Sequence, residues 1–133
     1  ILNSKVKFRE WYRPFAPFCK KEDAPKYFDS YSFENLEFMS HAPRVKENYL
    51  DKLPSITHID NTARLQTVTE KSHEHFYELL TEFGKISETN VLLNTSFNIR
   101  GYPILSTIDD ALYALENTEM DYVVIEDYLF EKQ

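Results

Sequence analysis

Alternation of apolar and polar positions opens the chain. Residues 5–10 (KVKFRE) alternate and predict a short strand leading into RPFAP, residues 13–17. Pro14 and Pro17 forbid a helix interior there and impose an extended or turning path. Residues 18–55 carry the weakest pattern. A polar stretch is followed by an aromatic-rich one over 27–38 and an expected strand near 37–41, with Pro25, Pro43 and Pro54 as punctuation. Residues 62–68 (TARLQTV) predict a strand with Ala63, Leu65 and the Thr67 methyl on one face, and Arg64 and Gln66 on the other. At 72–87 the period lengthens. Phe76, Leu79, Leu80, Phe83 and Ile86 form one apolar helical stripe, and Gly84 inside it weakens the last turn. Val91-Leu92-Leu93 reads as a buried strand that delivers the polar loop 94–101. A second helix is expected over 108–117, with Thr107 as N-cap and Asp109 and Asp110 in the first turn, where negative charge suits the dipole. Residues 121–125 (DYVVI) read as a closing strand. Strands and helices interleave without internal repeat or low-complexity tract, so the fold class is α/β.

Composition sharpens this picture in a few places. A chain of 133 residues suits one domain, and 42% hydrophobic with 15% aromatic residues is enough to close a core. No apolar run approaches the ~20 residues of a membrane span, and no basic-then-apolar leader opens the chain, so no membrane partner is expected. The single cysteine, Cys19, can form no internal disulfide and no Cys-rich zinc site, which fits a reducing, cytoplasmic setting. The net charge of −7 argues against a nucleic-acid polymer as partner, because neutralising phosphates supplies most of that affinity. The charge is unevenly spread, however. Residues 1–21 hold Lys5, Lys7, Arg9, Arg13, Lys20 and Lys21 against Glu10 alone, whereas 107–133 hold eight acids and only Lys132. A small basic site on an acidic body suits a compact anion. With just two glycines, Gly84 and Gly101, neither a P-loop nor a G-x-G-x-x-G turn can be written. Phosphates would have to be held by side chains, for which the arginine fork is best shaped. The chain has five arginines: Arg9, Arg13, Arg44, Arg64 and Arg100.

Three segments concentrate the candidate chemistry. In the first, Lys7-Phe8-Arg9 followed by Arg13-Pro14-Phe15-Ala16-Pro17, a strand would place Lys7 and Arg9 on one face. Two adjacent cations need an anion or a facing acid; the alternative is a solvated edge that discourages aggregation. In the second, 57–64, Asp60-Asn61 is a turn pair on which His58 and Asp60 would orient each other, with Arg64 on the strand beyond. The alternative is an ordinary hairpin turn. No histidine shows metal-ligand spacing, and no metal site is expected in the protein. In the third, a strand delivers Asn94, Thr95, Ser96, Asn98 and Arg100 into one loop ended by Gly101, which can adopt left-handed backbone geometry. Hydroxyls and amides at the end of a strand are what a ligand crevice in an α/β sheet requires, although a self-capping turn would look similar. Cys19 has no supporting base.

Taken in order, KFREWYRPFAP (7–17), ITHIDNTARLQTV (56–68) and LLNTSFNIRGYPIL (92–105) resemble the C-terminal domain of the O-carbamoyltransferase family, which includes the nodulation-factor and antibiotic carbamoyltransferases. Asp110-Ala111-Leu112 and DYVVIEDYLFEK (121–132) extend the likeness over nearly the whole chain, 1–133. That domain is similar to the YrdC family, whose nucleotide site uses a K-x-R and a T-S-x-N element. These correspond to Lys7-Phe8-Arg9 and Thr95-Ser96-Phe97-Asn98. The resemblance implies a twisted open mixed sheet with flanking helices, a longer enzyme with an upstream actin-like-fold domain, and an activity. ATP, with Mg²⁺ accompanying it, and carbamoyl phosphate would yield a carbamoyl-adenylate for transfer to a substrate hydroxyl. It assigns Lys7, Arg9, Thr95, Ser96 and Asn98 to the nucleotide. Arg13, Arg64 and Arg100 fall to the reacting groups, and His58, Asp60 and Asn94 to the substrate. Phe18, Asn61 and Tyr102 depart from the family pattern, where a serine, a glycine and an acid are usual. A non-catalytic nucleotide- or RNA-binding module and a scaffolding domain are the competing readings.

Overall fold

A computed structural model describes residues 2–99 and 101–132, and the chain divides into two compact units. One unit is Pro14–Thr95; the other joins Ile1–Arg13 to Ser96–Gln133.

In Pro14–Thr95, β1 (Ala16–Lys20) is the centre of a three-stranded sheet. It runs parallel to β4 (Gln66–Val68) and antiparallel to β5 (Leu92–Asn94), giving the order β4-β1-β5. Alternation along β1 buries Pro17 and Cys19 on one face. Phe18 and Lys20, on the other, meet helix α2 (Glu74–Ile86): the Phe18 ring stands edge-on to Phe76 at 5.5 Å, and Lys20 Nζ lies 5.0 Å from the Tyr77 ring centre. A short helix α1 (Ala24–Tyr27) leads into β2 (Phe28–Asp29), which pairs antiparallel with β3 (Arg44–Val45). Tyr27, Phe28, Leu36, Ile56, Leu65 and Leu80 are the buried core of this unit. Burying each such large apolar side chain contributes roughly 1.5–3 kcal/mol.

The helix over 72–87 is present, but its stripe is only partly used. Leu80 is fully buried, while Phe76, Leu79 and Ile86 remain exposed. Gly84 has a packing reason: a Cβ there would come within 2.6 Å of the Asn90 amide, which lies against the helix and donates to Asp23 Oδ2 at 3.2 Å. The expected strand near 37–41 is instead a tight helical turn, Leu36–Phe38. Asn35 and Met39 on either side have φ of 59° and 56°, so the chain reverses around the buried Leu36 and cannot extend. The strand over 62–68 is shorter than its alternation suggests. Leu65 N–H donates to Ala63 O at 2.9 Å, a local turn that leaves Thr62 as an isolated bridge to Arg44. The predicted facing still holds, with Ala63, Leu65 and Thr67 buried and Arg64 exposed.

The other unit is built on α3 (Ile108–Asn117) and a hairpin of β6 (Tyr122–Ile125) and β7 (Tyr128–Glu131). Thr107 caps α3 as its sequence predicts. Its Oγ1 accepts from Asp110 N–H at 3.1 Å, and Asp110 Oδ2 accepts from Thr107 N–H at 3.2 Å, a reciprocal capping box. The hydrogen bonds from Thr107 and Ser106 hold the Asp110 carboxyl below the usual aspartate range. The strand expected over 5–10 does not form. Leu2–Val6 coils into a wide helical turn in which Lys7 N–H reaches Leu2 O at 2.9 Å, and Phe8 turns left-handed with φ 49°. The reason is local. Asn3 folds the segment onto itself, its amide donating to Trp11 O at 3.1 Å and Arg13 O at 2.7 Å, so no ladder partner is needed. No helix among the described residues is long and apolar enough to cross a membrane. The fold is mixed α/β, and the strands among the described residues form one mixed sheet and two antiparallel ribbons.

Candidate functional site

The first and third sequence segments meet in the unit that joins the N-terminal residues to Ser96–Gln133. Lys7, Arg9, Glu10, Arg13, Ser96 and Asn98 line one cavity of about 350 Å³. Residues almost ninety positions apart are joined here by a single ammonium. Lys7, only 7% exposed, donates to Ser96 O at 2.5 Å, Asn98 O at 2.9 Å and Asn98 Oδ1 at 2.5 Å. An ammonium has three protons, and these three acceptors account for all of them. Lys7 therefore holds the loop that carries Ser96 and Asn98. Ser96 Oγ–H donates to Asn98 Oδ1 at 2.9 Å, and Gly101, with φ 83°, turns the chain out of the loop.

Arg9 is anchored through its Nε, which donates to Asn3 Oδ1 at 2.7 Å. The planar group is thereby oriented before any ligand arrives. Arg13 lies 3.9 Å from Glu10 Oε2, a solvent-screened pair. Burial, and then the neighbouring Arg9, depress the Lys7 pKa. Burial and Arg13 do the same for Arg9, against a smaller opposing effect of Glu10. Beyond burial, Arg9 thus disfavours the Lys7 charge and Arg13 that of Arg9, and an anion placed among them would relieve the repulsion. Glu10 escaped the sequence reading, although its being the lone acid among residues 1–21 was the available signal.

The second segment lies in Pro14–Thr95 and forms a hydrogen-bonded turn. Asp60 Oδ1 accepts from Thr62 N–H at 3.0 Å and from Thr62 Oγ1–H at 2.7 Å, while His58 Nδ1 is 2.9 Å from that same hydroxyl. The hydroxyl hydrogen is given to the carboxylate, so His58 Nδ1 must donate. His58 and Asp60 orient each other through Thr62, not directly. The Thr62 hydrogen bonds, side chain first, hold the Asp60 carboxyl below its ordinary range. Asn61 takes φ 62°, the conformation for which a glycine is usual. Arg64 is exposed and forms no hydrogen bond or ion pair among the described residues. Asn94, at the end of β5, donates its amide to Gln66 Oε1 on β4, and Gln66 Nε2 donates to Glu37 O at 2.9 Å. β1 runs between their strands, with Ala16 the register partner of Asn94 and Phe18 that of Gln66. Gln66 and Asn94 line a second cavity, of about 500 Å³, with Phe18 and Phe76. Thr95 lies exposed just after β5 and lines neither cavity; Arg100 lies outside the described residues. Burial, with Asp23 and Glu22 nearby, pushes the Cys19 thiol up, so it is not a nucleophile at neutral pH.

The sequence profile described as carbamoyltransferase C-terminus matches residues 1–132. The chain belongs to that family. It is 39% identical to nodulation protein NolO of Bradyrhizobium diazoefficiens, over 99% of this chain and 24% of the relative. It is 38% identical to nodulation protein NolNO of Sinorhizobium fredii, over 99% of this chain and 20% of the relative. The 3'-hydroxymethylcephem-O-carbamoyltransferase of Amycolatopsis lactamdurans is 33% identical over 97% of this chain and 24% of its own length. The chain therefore spans about a fifth to a quarter of these curated relatives.

Proposed function

We propose that this carbamoyltransferase-family domain forms a carbamoyl-adenylate from carbamoyl phosphate and ATP, for transfer to a substrate hydroxyl by an upstream actin-like-fold domain of the same protein. The observation that carries the reading is the gathering of Lys7, Arg9 and Arg13 with Ser96 and Asn98 around one small cavity. Such a cluster suits phosphoryl oxygens, and the resemblance of the motifs to the YrdC nucleotide site, with its twisted open sheet, supplies the chemistry. Atom balance makes the reaction two steps. Water releases phosphate from carbamoyl phosphate, and the resulting carbamate oxygen attacks the α-phosphorus of ATP as pyrophosphate leaves.

In this reading Arg9 and the charge of Lys7 neutralise the nucleotide phosphates, and Arg13 takes the acyl phosphate. Ser96 and Asn98 face the α-phosphate or ribose. Mg²⁺ would arrive with the nucleotide and neutralise part of its charge, and Glu10 is the acid of the cavity lining that could help to hold it. None of these side chains is a strong base at neutral pH, which suits a reaction governed by positioning and charge stabilisation. Within Pro14–Thr95, Arg64 would act on the reacting groups, His58, Asp60 and Asn94 on the substrate and Thr95 on the nucleotide, while Arg100 would act on the reacting groups. Removing one charge-matched donor costs roughly 2–4 kcal/mol of transition-state stabilisation. Arg9→Ala should therefore slow ATP–pyrophosphate exchange by the full-length protein about a hundredfold. Unchanged exchange with an intact fold would remove Arg9, and with it this reading of the cavity.

A further inference from the structure

Asn3 stands outside the cavity lining, yet both ends of its side chain are spent on the segment that supplies the cavity's arginines. Its Nδ2 donates to the main-chain carbonyls of Trp11 at 3.1 Å and Arg13 at 2.7 Å, one hydrogen to each. Its Oδ1 accepts from Arg9 Nε–H at 2.7 Å, and its main-chain carbonyl accepts from Arg9 N–H at 2.9 Å. The partners fix which way the amide faces. Carbonyl oxygens only accept and a guanidinium only donates, so the nitrogen faces Trp11 and Arg13 and the oxygen faces Arg9. Two bonds thus brace the plane of the amide, and the braced oxygen holds the guanidinium. The coil over Leu2–Val6 makes this possible. An extended path from residue 3 to residue 9 would leave them roughly 20 Å apart, at about 3.3 Å per residue.

A long cationic side chain that is ordered only when it captures an anion loses rotamer freedom at that moment, which weakens binding by about two- to tenfold. We infer that Asn3 is a positioning residue: it touches no ligand, and it holds the Arg9 guanidinium in its binding orientation before the nucleotide phosphates arrive. The role rests on the proposed reading of the cavity as a phosphate site. Arg13 enters twice, through its side chain at the cavity and through its carbonyl at the brace. Truncating its side chain removes only the first.

ATP affinity of the full-length protein, measured by calorimetry on single and double variants, is the test. Asn3→Ala should weaken ATP binding about five- to tenfold, and by about the same factor in an Arg13→Ala background, where the carbonyl is kept. In an Arg9→Ala background it should change the affinity by less than about twofold, because no guanidinium is left to place. A residue that only supports the local fold would weaken binding by one factor in all three backgrounds, and that result would overturn the inference. A second measurement needs no change at Asn3. By NMR, the Arg9 Nε–H signal, assigned by its loss in Arg9→Lys, should exchange with water about tenfold more slowly than that of exposed Arg64. Equal exchange would overturn the inference even if Asn3→Ala failed to fold. A wild type that binds no ATP would remove the phosphate reading of the cavity and this role with it, whereas the one-factor result removes the role alone.

Discussion

Replacing Lys7 with methionine keeps the length and apolar stem of the side chain and deletes its three protons. The structure sets the size of the effect. Hydrogen bonds from a charged donor contribute roughly 1.5–3 kcal/mol each, but the bond to Ser96 O counts for little, because that exposed residue rehydrates. The two bonds to half-buried Asn98 remain, offset in part because burial and the neighbouring Arg9 already disfavour the Lys7 charge. The net loss should be about 1–3 kcal/mol, felt by the loop more than by the rest of the fold. Native-state hydrogen exchange on the full-length protein reads it directly. The amides of Asn98, bonded to Ser96 O at 3.1 Å, and of Leu105, bonded to Phe97 O at 2.9 Å, should exchange faster. Phosphate affinity should fall about tenfold as the cavity loses a cation. Arg13→Ala, which removes a cavity cation without touching the loop, should lower the affinity and leave both amides protected. Unchanged exchange at Asn98 and Leu105 in Lys7→Met would refute the idea that this lysine holds the loop in place.

Two further outcomes follow from other parts of the chain. Gly84→Ala should turn the Asn90 amide away from Asp23, and the lost hydrogen bond and the ~1 kcal/mol of helix propensity regained should nearly cancel, leaving the urea midpoint within about 1 kcal/mol of wild type; a loss of several kcal/mol would show that Asn90 cannot turn aside. The Asp60 carboxyl should titrate by NMR below the ordinary aspartate range and move upward in Thr62→Val. Because its pKa is depressed in the folded state, its contribution to stability is present above the ordinary aspartate range and is lost as pH falls through the folded value. An Asp60 midpoint indifferent to Thr62→Val would show that the turn does not depend on that hydroxyl.

Where local chemistry alone sets the outcome, the sequence was enough. The Thr107 N-cap, the approximate α2 and α3 spans, the left-handed Asn61 and Gly101, and the common face of Ala63 and Leu65 all follow from neighbours within a few residues. The family, too, is legible in the ordered motifs, and the profile over 1–132 shows it. Tertiary structure decided what depends on partners far along the chain. Alternation in KVKFRE is the signature of a strand only if a neighbouring strand offers a ladder; Asn3 offered Trp11 and Arg13 carbonyls a partner instead, and the segment coiled. The hairpin partner β7 was missed because its pairing with β6 outweighs a weakly patterned YLFE. The candidate site shows the same division. Residue type marked Lys7, Arg9, Arg13, Ser96 and Asn98 as suited to an anion, but a lysine's three protons and a serine's one find their acceptors in three dimensions. Only the fold could show that the ammonium is spent on the loop.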